Sequence, residues 1–543
     1  MTQEARGKMQ KERGKNTQTQ PALGASGMVS SAHPLATQAG LDILVAGGNA
    51  FDAAVATAAT LNVVEPMMSG IGGYGTILLY DARQDAAWFL NSSGRIPSSL
   101  DSDVFRLPTP RYLENRHGAK AVSTPGNLNA WAAMSKRYGR LEWRRLFDAA
   151  IQAADEGFVI TQTTSRHIQS EFLSFPEHAK SIYGRNGEPL QAGERLVQTD
   201  LAKSFRRVAE QGARSLYEGE LGQAIDAAMR EAGGFLSLDD LRQDQAEWWK
   251  PINIECWGHT VITASPPANS FDMLVRLGMM SQLDPAALGH NSAAYLHRYA
   301  EVTKHGFWTR LRYAGDPDVE PPPLDALLSE TYWAEQVAKI DPQKAAPFEP
   351  PQNSGSGAHT THFVVADRWG NIVSATQTVG GLFGSKIMPP GTGIWLNNSL
   401  QYCAFEPKGN PMDAFPGRHK LSGDCPTLVM RGGKPWIAVG TPGGHTIGQT
   451  VPQIVINLFC FQMDIQQAIA APRISFIEPD VIAVEEGIPE VVRQALSAMG
   501  HNIQVENRLG NAHGLTIEYD SAGLPCRFTG GADPRGEGAA SGY

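Results

Sequence analysis

The stretch HTTHFVVADRWGNIVSATQT, residues 359–378, decides how this chain folds. Apolar and polar residues alternate in both of its halves, around a turn of Gly and Asn, and this pattern is typical of a β-hairpin. Counting back from a loop at 368–371 places Thr361 opposite Thr378, with Thr360 one step further. The register therefore predicts that the Thr378 hydroxyl lies beside the start of the first strand, within one or two residues.

The organisation of the chain changes at this hairpin. Residues 124–312 are mainly helical in pattern, whereas short alternating strands, including one at 393–398, dominate after Thr360. An alanine-rich helix is expected after Asn49, which can cap it together with Asp52, and its apolar character all round indicates burial against another layer. Helices mixed with strands, followed by a strand-rich part, predict an α+β fold or a layered αββα arrangement.

Charge and hydropathy exclude two classes of partner. The net charge is −9 at pH 7, so the chain has no excess of basic residues to neutralise phosphates. No uninterrupted apolar run is long enough to span a bilayer, and no basic helix suits an anionic membrane surface. We therefore expect neither a nucleic-acid partner nor a membrane partner.

The N-terminal residues and the cysteines bear on location. Residues 1–26 are polar and charged, so we expect a disordered tail rather than a secretory signal, which needs an apolar segment. The five cysteines lie far apart, their number is odd and no CxxC motif occurs, so neither a disulfide framework nor a zinc site is expected. A reducing, cytoplasmic location fits these features best.

Two stretches resemble cofactor sites without fitting them. Residues 70–75 read GIGGYG, but a helix precedes them and a strand follows, which is the wrong order for a dinucleotide-binding loop. His359 and His362 would point to opposite faces of a strand, so a shared metal ion is not expected. The sequence therefore predicts no metal and no cofactor.

The double threonine suggests nucleophilic chemistry. A threonine at the start of a chain can act as a nucleophile because its own α-amine, with a pKa of about 7.7–8.0, accepts the hydroxyl proton. For Thr360 this requires cleavage of the His359–Thr360 bond, and the preceding loop of Gly and Ser suits such a cut. The alternative is that Thr360 and Thr361 are ordinary β-branched strand residues.

A second candidate element is the pair Gly443-Gly444, which follows Thr-Pro and precedes an expected helix. Glycines let backbone N–H groups approach a reacting oxygen, and a helix N-terminus adds positive potential. The pair therefore suits an oxyanion hole. The alternative is a tight turn between a strand and a helix.

These motifs together resemble a known family. TTHFVVADRWGN, GTPGG downstream and GADPRGEG near the end are similar to the γ-glutamyltransferase (glutathione hydrolase) family of N-terminal-nucleophile hydrolases. The resemblance extends over nearly the whole chain after the tail, through EPMMSGIGGYG, VSTPGNLNAW and GTGIWLNN. It implies a four-layer αββα sandwich and self-cleavage into a large subunit, 27–359, and a small subunit, 360–543, which form one intertwined domain.

The resemblance also implies site residues. It makes Thr360 the nucleophile and the His359–Thr360 bond the processing site. Thr378 matches the second threonine of the family, whose hydroxyl contacts the nucleophile and assists cleavage. Gly443 and Gly444 match the glycines that form the oxyanion hole.

The substrate-binding positions of the family are poorly matched. Typical members have an Asn two positions after the second threonine, where this chain has Gly380. Ser399 and Tyr402 stand where a Gln and an Asp hold the α-amino group of the substrate. Because a buried ammonium group needs a carboxylate or several acceptors, binding of a free α-amine is expected to lose its charge pairing.

The carboxylate-binding positions also differ. Ser422 and Gly423 stand at the family's pair of serines, so one hydroxyl remains. Arg95 is the candidate for the family's carboxylate-binding arginine, although aligning the nearby proline puts it two places off. The pocket therefore resembles the branch with oxamate amidohydrolase and cephalosporin (glutaryl) acylases as much as that of glutathione hydrolases.

The sequence therefore predicts a self-processing threonine amidohydrolase or acyltransferase. Its substrate would be a γ-glutamyl or related acidic small-molecule amide, with water or an amine as acceptor. Its two cleavage products would form a heterodimer, which could pair into a dimer. The alternatives are a hydrolase of an oxamate- or glutaryl-type amide without transferase activity, and a non-catalytic relative that binds a small acid amide.

Overall fold

The computed structural model describes residues 19–106, 112–348 and 359–543. Most of the expected N-terminal tail, residues 1–18, lies outside these ranges. The expectation of disorder up to residue 26 is wrong for Ala22–Gly24, which forms a short strand paired with Phe528–Gly530. The backbone hydrogen bonds of this edge pairing give the segment a fixed place that its polar composition does not reveal.

Strands occur along the whole of the described chain. They are β1 (Ala22–Gly24), β2 (Gly27–Ser31), β3 (Tyr74–Asp81), β4 (Ala86–Ser92), β5 (Phe158–Val159), β6 (Gly184–Arg185), β7 (Glu188–Pro189), β8 (Arg195–Leu196), β9 (Glu247–Trp249), β10 (Ile252–Cys256), β11 (His259–Thr263), β12 (His359–Asp367), β13 (Ile372–Gly380), β14 (Thr427–Arg431), β15 (Lys434–Gly440), β16 (Ile474–Ile477), β17 (Val481–Glu485), β18 (Ile503–Glu506), β19 (His513–Tyr519), β20 (Pro525–Ala532) and β21 (Ala539–Gly542).

Helices dominate the described part before β12. The α-helices are α1 (Pro34–Val45), α2 (Ala50–Val64), α3 (Asn127–Tyr138), α4 (Asp148–Asp155), α5 (Gln162–Glu171), α6 (Glu177–Tyr183), α7 (Thr199–Gln211), α8 (Arg214–Tyr217), α9 (Glu220–Glu231), α10 (Leu238–Gln243), α11 (Phe271–Ser281), α12 (Pro285–Leu288), α13 (Ala293–Tyr313), α14 (Leu324–Leu327), α15 (Glu330–Val337), α16 (Ile447–Cys460), α17 (Ile465–Ala470) and α18 (Glu490–Ala498). None of them combines the length and apolar character needed to cross a bilayer.

Two seven-stranded sheets form the centre of the molecule. The first has the order β21-β2-β12-β13-β3-β4-β9, and the second has the order β1-β20-β19-β15-β14-β11-β10. Each sheet takes strands from both sides of the His359–Thr360 bond. The two predicted subunits are therefore interleaved in both sheets rather than folded as separate bodies.

The side chains of these sheets separate into three apolar layers, as strand alternation requires. Along β12, Val364 and Ala366 pack against the facing sheet, where Leu428 meets them. Phe363 and Val365 point the other way, into a core shared with helices α1 to α4 and α7. A third core lies beneath α11, α13 and α16 on the outer face of the second sheet. This arrangement is the expected αββα sandwich.

Helix α2 is buried on every side, and its first residues are capped by side chains. Asn49 accepts hydrogen bonds from the N–H groups of Phe51 and Asp52, and the Asp52 carboxylate accepts one from the N–H of Asn49. This capping box satisfies donors at the buried helix start. Every residue from Ala50 to Val64 is buried, so the capping expected from the sequence is confirmed.

The central hairpin forms, but its register differs by one residue from the expected one. Thr361 pairs with Gln377 rather than Thr378, and Ala366 pairs with Ile372. The reason lies in the turn, where the Asp367 carboxylate accepts hydrogen bonds from backbone N–H groups of the loop. Asp367 therefore belongs to the turn, which its carboxylate stabilises, and does not pair with Ile372.

The strand expected at 393–398 is absent from the described structure. This segment has no ladder pairing, and backbone bonds link it to a neighbouring loop at Ser385 and Ile387. Asn397 instead uses its side chain, donating to the carbonyl oxygens of Gly72 and Ser123. The apolar alternation of this segment therefore reflects burial in a packed loop.

A buried ion network joins the C-terminal part of the chain. Asp533 pairs with Arg473 and Arg535, and Arg535 also pairs with Glu485. Burial alone would raise the pKa of Asp533, but the two arginines hold it at about 2. The Asp533 carboxylate also accepts the N–H of Ala512 at 2.8 Å, which fixes the loop before β19.

Replacing this acid is expected to destabilise the fold. Asp533→Asn leaves Arg473 buried with one charge fewer opposite it, and the free energy of unfolding should fall by about 3–5 kcal/mol. Because the pKa of Asp533 is lowered, its stabilising effect is present above pH ~4 and lost as the pH falls towards 2. The difference from wild type in urea denaturation should shrink over that range.

Asp239→Asn is the matched control, since Asp239 forms an exposed ion pair with Arg242. It should change the free energy of unfolding by less than about 1 kcal/mol. Equal effects of the two substitutions would contradict a structural role for the buried network.

Candidate active site

The start of β12 carries an irregularity at Thr360. His359 pairs with Gly380, whereas Thr361 pairs with Gln377, so Thr378 and Val379 together lie opposite the single residue Thr360. A bulge of this kind interrupts the ladder and redirects a side chain.

The bulge brings Thr378 to the peptide bond before Thr360. The Thr378 hydroxyl donates to the carbonyl oxygen of His359 at 2.5 Å. The N–H of Gly380 donates in turn to the Thr378 hydroxyl oxygen at 2.8 Å, which directs its proton towards the carbonyl. The register alone placed Thr378 near Thr361, and the structure places its hydroxyl on the carbonyl of residue 359.

Gly380 adopts a backbone conformation with positive φ, in a place where a side chain would not fit. Its φ of +100° lies in the region where a side chain is strained. A Cβ atom there would also stand 2.0 Å from the Asn398 side-chain oxygen. An asparagine at 380, as in typical members of the family the sequence resembles, would therefore displace Asn398, whose side chain accepts the Gly381 N–H.

Thr360 lies at the wall of a cleft that opens to solvent. The cleft has a volume of about 280 Å³, and its lining includes Glu65, His167, Gly443, Arg508 and Glu537. The Gly- and Ser-rich loop before His359 lies outside the described residues. The cleft therefore joins the predicted nucleophile and one of the predicted oxyanion-hole glycines.

Gly443 and Gly444 form the sharp turn between β15 and helix α16. Their φ values are +139° and +57°, both in the region that favours glycine. A single helical turn, Gly444–Thr446, follows before α16 begins at Ile447. The pair thus lies at a helix start, where the predicted turn occurs, and Gly443 lines the same cleft as Thr360. The role of the pair as an oxyanion hole stays a prediction.

The loop at 508–512 supports this turn. The N–H of Asn511 donates to the Thr441 hydroxyl at 3.1 Å, just before the glycine pair. Leu509 and Ala512 are held through their N–H groups by Glu485 and Asp533, which belong to the buried ion network. The ion network therefore stabilises one wall of the cleft.

Charged groups in the cleft differ in their protonation. Burial raises the pKa of Glu65 to about 7, although the Thr361 hydroxyl donates to its carboxylate at 2.8 Å. Burial lowers the pKa of His167 to about 4. Arg508 and Glu537 bring one positive and one negative charge to the same cleft.

Ser399 and Tyr402, two of the predicted substrate-binding residues, contact neighbouring side chains of the protein. Ser399 is fully buried and donates to the Ser123 hydroxyl, so it belongs to the packing of two loops. Tyr402 lies beside Tyr74, and burial raises the pKa of both phenols. Neither is part of the cleft lining at Thr360, and their contact with substrate stays a prediction.

Arg95 is placed elsewhere. It lines a separate cleft of about 300 Å³ together with Asp244 and Glu247. Its guanidinium pairs with Glu247 at 2.7 Å and donates to the carbonyl of Gly417. The expected role in binding a substrate carboxylate is therefore not supported, because an acid group already occupies this arginine and Thr360 lines a different cleft.

Ser422 and Gly423 lie nearer to the glycine turn. The Ser422 hydroxyl is hydrogen-bonded with that of Thr76 at 3.0 Å. A Cβ on Gly423 would lie 3.3 Å from the carbonyl oxygen of Gly444. This segment therefore connects β3 of the first sheet with the turn that lines the Thr360 cleft.

Two clusters of potential metal ligands occur in the described ranges, and each is internally bonded. His297 and His501 share a hydrogen bond of 2.8 Å, and Glu301 pairs with Lys304. In the second cluster, His419 pairs with both Asp316 and Asp318.

Comparison with known proteins identifies this arrangement. A family model described as gamma-glutamyltranspeptidase matches residues 36–543. The chain belongs to the gamma-glutamyltranspeptidase family. It is therefore an N-terminal-nucleophile hydrolase, and the fold and family expected from its motifs are confirmed.

Relatives of two kinds are similar over nearly their whole length. The acylase ACY 1 proenzyme of Pseudomonas sp. (strain V22) is 36% identical over 530 residues, which cover 95% of this chain and 94% of the relative. The glutathione hydrolase proenzyme of Bacillus subtilis (strain 168) is 33% identical over 548 residues, with coverages of 96% and 92%.

Solved structures agree with these relationships. The cephalosporin acylase from Bacillus halodurans superposes with a TM-score of 0.88 at 29% identity and covers 98% of both chains. The Helicobacter pylori gamma-glutamyltranspeptidase chain has a TM-score of 0.56 at 30% identity, covering 61% of this chain and 95% of its own. The proenzyme names and this partial coverage are consistent with enzymes processed into two chains.

Several cleft residues had no assigned role at the level of sequence. Glu65 ends helix α2, and Glu537 lies in the GADPRGEG motif, so both occur within stretches that resemble the family. Arg508 lies in a loop without a recognisable motif, and only the folded loop brings it to Thr360.

Introducing a side chain at Gly380 should damage this site. Gly380→Ala combines strain at positive φ with a Cβ that overlaps Asn398, and we expect a loss in the free energy of unfolding of about 2–4 kcal/mol. Gly391→Ala is the control, because Gly391 has a φ of +75° and open space around its Cβ position. Its cost should be about 1–2 kcal/mol, from strain alone.

Chemical denaturation of both variants measures the difference. If Gly380→Ala were no more destabilising than Gly391→Ala, the contact with Asn398 would have no influence on the fold.

Proposed function

We propose that the protein cleaves itself between His359 and Thr360 and that Thr360 is then the nucleophile of an amidohydrolase. The observation that carries this proposal is the hydrogen bond from Thr378 to the His359 carbonyl oxygen, 2.5 Å long, at the bond to be cut. A donor at this oxygen stabilises the negative charge that develops when the carbonyl carbon is attacked.

Self-cleavage proceeds in two steps. The Thr360 hydroxyl oxygen attacks the His359 carbonyl carbon, the C–N bond breaks, and the amide nitrogen takes a proton, which leaves an ester and a free α-amine. Water then attacks the ester and releases a carboxylic acid at His359 and the hydroxyl of Thr360. Thr378 would hold the oxyanion in both steps.

The mature enzyme uses the same hydroxyl on a substrate amide. The α-amine of Thr360 takes the hydroxyl proton as the oxygen attacks, and the leaving amine receives that proton. Backbone N–H groups at Gly443 and Gly444 would stabilise the oxyanion, since positive φ and the helix start suit such donors. Water resolves the acyl-enzyme to the free acid, and an amine acceptor would give transfer instead.

The substrate class remains an acidic amide, either γ-glutamyl or another acid such as glutaryl. One relative is named an acylase and another a glutathione hydrolase, and both names are compatible with an amide substrate. The residues at 399 and 402 differ from those expected for a free α-amine. We favour an acyl group whose recognition depends on its carboxylate, without requiring the amine.

The cleavage products, 27–359 and 360–543, would remain together as a heterodimer. Both sheets contain strands from each product, so separation would break two central sheets. All five cysteines are free in the structure, in keeping with the proposed cytoplasmic location. The proposed partners are thus a small amide and an amine or water.

Removing the Thr378 hydroxyl should slow self-cleavage. Thr378→Val keeps the β-branched shape but loses the donor to the His359 carbonyl, and we expect a rate about 100- to 1000-fold lower. Denaturing electrophoresis over time should show wild type converting into bands of about 39 and 20 kDa, at roughly 110 Da per residue.

Thr378→Ser is the matched control, because it keeps the hydroxyl and should keep most of the rate. Thr360→Ala should stay at full length. Wild type that persists as one band, or a Thr378→Val variant that cleaves at the rate of wild type, would contradict the proposed chemistry.

A further inference from the structure

Two histidines and a glutamate meet between helix α13 and the loop that joins α18 to β18. His297 and Glu301 lie one helical turn apart on α13, and His501 belongs to the loop. None of the three is more than 7% exposed. One nitrogen of each histidine and one carboxylate oxygen of Glu301 lie within 4.8 Å of one another. No local motif predicts this cluster, because His501 lies 204 residues after His297.

The hydrogen bonds of His297 decide which of its nitrogens presents a lone pair. Its Nε2 lies 2.7 Å from the carbonyl oxygen of Asp341. Because a carbonyl only accepts, this nitrogen carries the proton of the neutral ring, and Nδ1 presents its lone pair to His501 Nε2 at 2.8 Å. Burial, together with the nearby Lys304 and His297, lowers the pKa of His501 to about 3, so that ring is neutral at pH 7.

His501 can present a lone pair to the same place. Its Nδ1 atom is buried and has no hydrogen-bond partner among the described residues. No contact therefore opposes a proton on Nδ1, which leaves the Nε2 lone pair facing His297 Nδ1. Two lone pairs at this distance repel each other unless a cation lies between them.

The Glu301 carboxylate adds an acceptor that is only half used. Its Oε2 atom accepts the N–H of Ala346 at 3.1 Å, whereas Oε1 has no hydrogen-bond partner within the described ranges. Lys304 lies 3.2 Å from Oε1, but its ammonium group also pairs with Asp480 and donates to the Ala346 carbonyl oxygen. A buried carboxylate oxygen without a donor is costly, and a cation would stabilise it.

This donor set suits a divalent ion of the zinc class. Imidazole nitrogens and carboxylate oxygens are common zinc ligands, at about 2.0–2.2 Å from the metal. Two nitrogens bound to one tetrahedral ion lie about 3.3 Å apart, so the rings need to separate by only roughly 0.5 Å from their present 2.8 Å. The bond from His297 Nε2 to the Asp341 carbonyl is of the kind that orients a metal-bound imidazole.

The cluster lies next to an exposed segment, which gives an ion a way in. Residues 341–344 are exposed and belong to neither of the large sheets. Hydrogen bonds from the N–H of Ala345 to the Met499 carbonyl and from the N–H of Ala346 to Glu301 hold this segment in place. Local opening of one short segment therefore reaches the cluster and leaves both sheets intact.

We propose that His297, Glu301 and His501 bind a divalent transition-metal ion of the Zn²⁺ type. Three protein ligands leave one position of a tetrahedral ion for water. His297 and Glu301 precede Thr360 in the chain and His501 follows it, so the ion links the two proposed cleavage products. Its role is structural, because the ligands are buried and none of them lines the Thr360 cleft.

Zinc binding tests the site. Protein without a histidine tag, freed of metal by a chelator, should bind one Zn²⁺ per chain in isothermal titration calorimetry. His501→Ala should weaken this binding by at least about 100-fold, more than the loss of a supporting contact. Zn²⁺ at ~100 times its Kd should raise the Tm of wild type by about 2–8 °C and leave that of His501→Ala unchanged.

His305→Ala is the matched control, because His305 lies on the same helix and its ring is bonded to Tyr332 outside the cluster. It should bind Zn²⁺ with the affinity of wild type. Thr360→Ala should do so as well, because it has the same three ligands. The inference therefore does not depend on self-cleavage, and a wild type that never cleaves itself would refute the proposed function alone.

Two results would overturn the metal site. One is wild type that binds no Zn²⁺, and the other is His501→Ala and His297→Ala variants that bind it as tightly as wild type. If these variants do not fold, X-ray absorption of Zn²⁺-loaded wild type decides the question. Two imidazole nitrogens around the ion would support the site, and surroundings without imidazole would refute it.

Discussion

The hydrogen bond from Thr378 to the His359 carbonyl depends on one extra residue in β13. Because Thr378 and Val379 share the place opposite Thr360, the ladder opens at the proposed cleavage site, and the hydroxyl reaches the carbonyl instead of solvent. The N–H of Gly380 orients that hydroxyl, and Gly380 can occupy this place because it has no Cβ. The chemistry proposed for Thr360 thus depends on a local departure from a regular sheet.

The rest of the molecule holds this departure in place. β12 lies inside a seven-stranded sheet with apolar cores on both faces, so its start cannot shift without disturbing both. On the far side of the cleft, the ion network of Asp533 fixes the loop that contacts Thr441, next to Gly443. Thr360 and the glycine turn therefore come from opposite sheets, each supported by its own helical layer.

The layered fold and the approximate position of Thr378 could be predicted from the sequence, because the alternation of a hairpin and its Gly-Asn turn are local signals. The one-residue shift was not, because it depends on Asp367 bonding the turn. Arg95 was misplaced because its partner, Glu247, is 152 residues away in the chain.

The identity of the first residue of the small fragment tests the central claim most directly. N-terminal sequencing and intact-mass measurement of the processed protein should find a chain that begins Thr-Thr-His-Phe, from Thr360, together with a larger fragment that ends at His359. A fragment that begins at any other residue, or an active protein that remains one chain, would contradict the account.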